Sequence, residues 1–149
     1  MRRTTNRLNQ ILAEIQNFGP FADDIEQYVL SCAVYGTRQL EIFRELDEEC
    51  FKNWSLYSAI KKQYKRNRSV SIEQLAVDTG VELFQLKKYF FLLSEEHLDC
   101  YIRILRQRKI QRAVVRECSF LIQEAVNNSC NVDTLLDKCA DLHNKVINS

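Results

Sequence analysis

The chain has 149 residues, the length of one domain or of a small domain with an appended element, and it is long enough to bury a core. Three glycines and one proline are too few for a turn-rich β architecture or a glycine-lined nucleotide site, so an all-α fold is predicted. A net charge of +1 excludes a global attraction to nucleic acid.

No run of about 18 apolar residues occurs, and the first residues form no apolar signal core. A cytoplasmic location without membrane contact is therefore expected. The first predicted element is an amphipathic helix over residues 5–18, ended by Gly19 and Pro20. It either packs on its own globule or serves as a peptide for the groove of a partner.

Apolar residues at helical spacing then predict a series of short helices up to about residue 68. The first begins after Pro20, with Asp23 or Asp24 as its N-cap, and a break follows near Gly36. The next two carry predicted buried faces that include Leu40, Phe43 and Leu46, and then Trp54, Leu56, Tyr57, Ile60 and Tyr64. The basic end at residues 61–68 is either a solvated helix terminus or a phosphate contact.

Residues 71–89 have the sequence pattern of a helix-turn-helix. Ser71 can cap the first helix, Gly80 can adopt the left-handed turn conformation, and Leu86 can close the core. The second helix would present Glu82, Leu83 and Phe84 at its N-terminal end, where phosphate repels an acid. A structural helix pair is favoured, and a DNA-binding helix-turn-helix is kept as the alternative function.

The last third of the chain predicts a long helix from about Glu95 to Ala125, a polar turn at residues 127–131, and a second helix to Ile147. The predicted architecture is thus a small helical globule followed by a long antiparallel helical hairpin. Its limits are an N-terminal helix (1–19), a globular subdomain (20–94) and the hairpin (95–149). A two-helix hairpin buries one face of each arm, so a second copy is expected to cover the remaining apolar positions.

Catalytic and metal-binding patterns are missing from the sequence. Six cysteines without a CxxC pair are expected to be reduced core thiols, and His97 with Cys100 lacks a second ligand pair. No nucleophile or carboxylate pattern accompanies His97 or His143. No catalytic residue, metal ligand or cofactor-binding residue is therefore predicted.

An ordered series of motifs resembles the N-terminal domain of DnaB-type replicative DNA helicases. The series comprises Asp24-Ile25-Glu26-Gln27-Tyr28-Val29-Leu30-Ser31, Phe51 followed by Leu56-Tyr57-Ser58-Ala59-Ile60, Tyr101-Ile102-Arg103-Ile104-Leu105-Arg106, and Asp133 to Leu142. It covers about residues 20 to 147. The extra N-terminal helix and the helix-turn-helix-like stretch depart from the family pattern.

The resemblance implies a non-catalytic collar that assembles into dimers or a hexameric ring, docks primase or a helicase loader, and meets DNA indirectly during replication. No Gly-x-x-x-x-Gly-Lys-Ser/Thr occurs, so ATP and Mg²⁺ are expected only in a C-terminal motor domain beyond Ser149, if one is present. The predicted hairpin and oligomer interface comprises Tyr101, Leu105, Val114, Leu121, Leu135, Leu136 and Leu142. The predicted partner-facing basic belt comprises Arg106, Arg108, Lys109, Arg112 and Arg116.

Overall fold

The computed structural model describes residues 22–92, 94–127 and 131–148, and these residues form an all-helical structure. The helices are α1 (Asp23–Tyr35), α2 (Gln39–Glu45), a 3-10 turn (Glu48–Cys50), α3 (Trp54–Asn67), α4 (Ile72–Thr79), α5 (Leu83–Tyr89), α6 (Leu98–Val126) and α7 (Val132–Ile147). The predicted helix at residues 5–18 and most of the predicted turn, including Cys130, lie outside the described residues.

The chain divides into two compact units, and the boundary lies inside α6. The globular unit comprises residues 22–109, and the C-terminal unit contains residues 110–149. α6 is one continuous helix of 29 residues. At 1.5 Å per residue it is about 43 Å long. The long arm predicted for this part of the chain is therefore confirmed as a helix.

The core of the globular unit is built around α1, α3 and the first turns of α6. Six consecutive buried apolar or small positions of α1, residues 29–34, include Val29, Leu30 and Cys32, so this helix is covered on nearly every side. Tyr57 of α3 is fully buried, stacks on Phe51 with ring centroids 4.1 Å apart, and donates a hydrogen bond of 2.6 Å to the carbonyl of Leu46. That bond satisfies the one polar atom of a large buried side chain.

A buried carboxylate links α1 to the start of α3. Glu26 is only 3% exposed, and its carboxylate accepts hydrogen bonds from the backbone amides of Asn53 at 2.7 Å and Lys52 at 3.0 Å. Asn53 is the N-cap of α3, and its own side chain makes no capping bond. Glu26 therefore stabilises the positive end of α3 from another helix.

Three local predictions are confirmed by backbone geometry. The hydroxyl of Ser71 accepts a hydrogen bond from the amide of Gln74 at the start of α4, and Gly80 ends that helix at φ +74°. α1 ends at Tyr35, next to the predicted break at Gly36. The N-cap of α1 is Ala22, however, and Asp23 lies in the first turn without capping it.

Two predicted buried faces are wrong in part. Leu40 is 43% exposed, whereas the fully buried residue of α2 is Ile42. Trp54 is 61% exposed because it lies in the first turn of α3, outside the stripe formed by Leu56, Tyr57 and Ile60. In the ranges that the structure describes, no helix combines the length and the apolar character needed to cross a bilayer.

Candidate protein-protein interface

Two ion pairs connect α6 and α7 within the C-terminal unit. Lys138 pairs with Glu124, and Lys145 pairs with Glu117 at 3.5 Å. Glu117 lies seven residues before Glu124 in α6, whereas Lys145 lies seven residues after Lys138 in α7. The paired segments of the two helices are antiparallel.

The apolar residues that share a face with these ion pairs are half-buried. On α6 they are Val114 and Leu121, and on α7 they are Leu135 and Leu142. In each helix the apolar and charged residues alternate at spacings of three, four and three, which places them on one face. These four predicted interface residues therefore belong to the face of each helix that carries the ion pairs within the chain.

A different face of α7 is exposed and mostly apolar. We call it the α7 seam, and it consists of Val132, Leu136, Cys139, His143 and Val146, spaced by four, three, four and three residues. Val132 is 64% exposed and Leu136 is 61% exposed. Alternating spacings of four and three are the pattern by which one helix packs along another in a coiled coil. The α7 seam is the candidate interface.

The structure places two predicted interface residues in the core of the globular unit. Leu105 is only 1% exposed, and Tyr101 packs edge-on against Tyr28 with ring centroids 4.9 Å apart. Tyr101 also stacks on His97 at 5.6 Å. Both residues lie in the first turns of α6, before the boundary with the C-terminal unit. Leu105 therefore cannot contact a second copy while the globular unit is folded.

The predicted basic belt is partly neutralised by the chain itself. Arg106 pairs with Glu45 at 3.0 Å, and Lys109 pairs with Asp47 at 2.5 Å and with Glu49 at 3.8 Å. Burial raises the pKa of Asp47, but the hydrogen bond and the charge of Lys109 outweigh it and hold that pKa below its usual value.

The other three belt residues differ in exposure. Arg108 and Arg112 are half-buried and already engaged in further interactions. Arg116 is exposed, and none of the described residues forms an ion pair with it. The surface available to a partner is therefore smaller than the sequence suggested.

The five cysteines that the structure describes differ in burial, although the sequence predicted mostly reduced core thiols. Cys32 and Cys50 are buried, and burial raises the pKa of each thiol to about 11. Cys100 and Cys139 are exposed, and Cys118 is half-buried. Among the described residues, no group of three histidine, cysteine or acidic side chains could hold a metal ion.

Comparison with family models, with curated proteins and with solved structures gives no match.

Sequence reasoning missed which apolar residues face outward. Phe120, Ile122 and Val126 of α6 are 54%, 39% and 46% exposed. The sequence did contain one indication of outward-facing residues. More large apolar residues lie between positions 114 and 126 than one buried stripe of a helix can hold. In the helix-turn-helix-like stretch, Phe84 is also 54% exposed, with the Lys88 ammonium 5.6 Å above its ring.

Proposed function

We propose that this chain is a non-catalytic interaction module that self-associates through the α7 seam. The observation that carries the proposal is a row of large apolar side chains, led by Val132 and Leu136, left exposed at coiled-coil spacing on a helix whose other face is occupied within the chain. The occupant is a second copy, because two such seams related by a two-fold axis bury each other's apolar surface.

Charges around the seam support a self-complementary contact. Asp133, Asp137 and Asp141 form an exposed acidic stripe on α7 beside the seam, and Arg116 of α6 is an exposed cation. In a two-fold arrangement that brings Arg116 of one copy to the acidic stripe of the other, the same pair would occur twice. His143 is the one polar member of the seam, and a polar residue at such a position sets the register of pairing at a cost in stability.

The biological role within this proposal is that of a helicase collar. The ordered motifs that resemble the N-terminal domain of DnaB-type replicative helicases support it, and so does a long helix followed by an antiparallel partner. In this role the dimer, or a hexameric ring built from dimers, presents a docking surface for primase or a helicase loader in the cytoplasm. A reading frame beyond Ser149 that encodes a strand followed by Gly-x-x-x-x-Gly-Lys-Ser/Thr would support the helicase assignment.

The self-association is tested by Leu136→Asp. Burying one leucine contributes about 1.5–3 kcal/mol. Two copies lose this contribution together, so we expect the dimer dissociation constant to rise at least about 100-fold. Sedimentation equilibrium of the full chain measures it. Asn144→Asp is the matched control, because it introduces the same side chain on an exposed position of α7 outside the seam.

A second readout uses the exposed thiols. Cys139 lies in the α7 seam, whereas Cys100 is exposed in the globular unit. We expect alkylation of Cys139, but not of Cys100, to slow as the protein concentration rises, and Leu136→Asp to abolish that protection. A wild-type chain that remains monomeric at millimolar concentration would refute the proposal.

A further inference from the structure

A polar groove in the globular unit lies between α3 and α4 and has a volume of about 720 Å³. One side is a stripe of α3 residues at four-residue spacing, namely Trp54, Ser58, Lys62 and Arg66. Such spacing keeps side chains on one face of a helix. Gln74, Asp78 and Thr79 of α4 line the other side. The groove uses no residue of the α7 seam.

A buried amide at the groove lacks an acceptor. Gln63 is 4% exposed, and its side-chain oxygen accepts a hydrogen bond from the backbone amide of Ser71. That bond assigns the other terminal atom as the NH₂ group. Its nitrogen, Nε2, has no hydrogen-bond acceptor among the described residues, although Gln63 lines the groove. Leaving a buried donor unsatisfied is costly, so an acceptor from solvent or from a ligand is expected at this nitrogen.

Within the described residues, Lys62 and Arg66 of the groove form no ion pair, in contrast to Arg106 and Lys109 on α6. No ion pair to Lys62 or Arg66 occurs in the part of the chain that the structure describes, whereas the adjacent Lys61 pairs with Glu48 at 3.8 Å. Among the described residues that line the groove, Asp78 is the one carboxylate, and it accepts a hydrogen bond of 2.9 Å from the side chain of Gln74. The two positive charges of Lys62 and Arg66 outweigh the one negative charge of Asp78, so the groove attracts an anion.

Trp54 adds a flat apolar surface at the end of the cationic stripe. Its side chain is 61% exposed, and no aromatic ring within the described ranges contacts it. An exposed indole beside unpaired cations is the combination by which proteins bind single-stranded nucleic acid, with a base on the ring and phosphates on the cations. Lys62 and Arg66 are separated by a rise of about 6 Å along the helix, which lets each contact a different phosphate.

We propose that the α3–α4 groove binds single-stranded nucleic acid. A base stacks on Trp54, the backbone follows Lys62 and Arg66, and the NH₂ group of Gln63 donates to an oxygen of the strand. An acidic peptide would satisfy the cations, but it would leave the indole without a stacking partner. This site shares no residue with the α7 seam, so the failure of either proposal leaves the other intact.

The experiment uses Trp54 as its own reporter, because it is the only tryptophan in the chain. Oligothymidylate of about 12 nucleotides, within the range of roughly 4–16 occupied by single-strand-binding domains, is titrated into the full chain at low salt. We expect the tryptophan fluorescence to be quenched. With two phosphate contacts, the slope of log K against log salt should be about −1.4.

Variants are measured by the anisotropy of a labelled oligothymidylate. Trp54→Ala should weaken binding about 5- to 160-fold, the factor expected for the loss of one stacked base. The double change Lys62→Ala with Arg66→Ala should remove nearly all of the salt dependence. The matched control is Lys87→Ala with Lys88→Ala, which removes two exposed cations of the same unit outside the groove and should leave binding unchanged.

Four outcomes would overturn the proposal. The first is the absence of quenching at low salt. The second is equal quenching by polyglutamate, which would make the groove a site for any polyanion. The third is tighter binding of a duplex of the same length. The fourth is a loss in the control as large as the loss in the Lys62 and Arg66 variant, which would move the contact to α5 and favour DNA binding by the helix-turn-helix.

Discussion

Replacing Glu26 with alanine removes the carboxylate that caps α3 from α1. Two charge-assisted hydrogen bonds are lost, one to Asn53 at 2.7 Å and one to Lys52 at 3.0 Å. Bonds to charged groups contribute about 1.5–3 kcal/mol each. Lys52 and Asn53 are exposed residues, so water can reach their amides once the carboxylate is gone, and the lower part of the range applies. We expect Glu26→Ala to reduce the free energy of unfolding by about 3 kcal/mol.

Urea unfolding followed by circular dichroism measures this loss. For a urea dependence of about 1.5 kcal/mol per molar, the midpoint should fall by about 2 M. Asp24→Ala is the control, because Asp24 is an exposed acid in the first turn of the same helix. We expect it to change stability by less than about 0.5 kcal/mol. Equal losses for the two variants, or a loss below about 1 kcal/mol for Glu26→Ala, would contradict the capping role.

Two further substitutions test contacts of the globular unit. A Cβ at Gly36 would lie 1.9 Å from the carboxylate of Glu95 and 2.5 Å from the carbonyl oxygen of Cys32, so Gly36→Ala should cost about 1–3 kcal/mol and lower the melting temperature by several degrees. The Asp47 carboxylate, whose pKa is held low by Lys109, contributes stability above its unfolded-state pKa of about 3.9, and this is lost as the pH falls through the lower folded-state value. Lys109→Met should therefore flatten the loss of stability below about pH 4, and unchanged acid unfolding would exclude the ion pair as its cause.

Short-range signals in the sequence predicted local structure well. Ser71 and Gly80 act through their own backbone neighbourhood, so their cap and turn could be identified without knowledge of the fold. The sequence does not show which face of a short helix is buried. α2 has seven residues, barely two turns, and its apolar residues fit more than one face. Packing against α1 selects Ile42 as the buried side chain and leaves Leu40 exposed.

The candidate interface shows a similar limit at longer range. Periodicity identifies the apolar faces of α6 and α7, but it does not reveal which face the chain covers by itself. Leu105 and Leu136 look alike in the sequence, yet one is 1% exposed and the other 61%. Likewise, Glu45, which pairs with Arg106, and Asp47, which pairs with Lys109, lie 61 and 62 residues away along the chain, so a belt without local acids appeared free.

The cations of the globular unit differ in whether they form ion pairs within the chain, and this distinguishes those that stabilise the fold from those available to a ligand. Arg106 and Lys109 connect α6 to Glu45 at the end of α2 and to Asp47 just after it, so replacing them is expected to disturb the fold before it disturbs any partner. Lys62 and Arg66 form no ion pair within the described residues, so their charge is available to a ligand in the groove. If the α7 seam also pairs two copies, each assembly carries two grooves. A strand long enough to reach both grooves binds the second groove intramolecularly once it occupies the first. Its overall affinity then exceeds that of a single groove. Self-association and strand binding would thus reinforce each other, although they use separate residues in separate units of the chain.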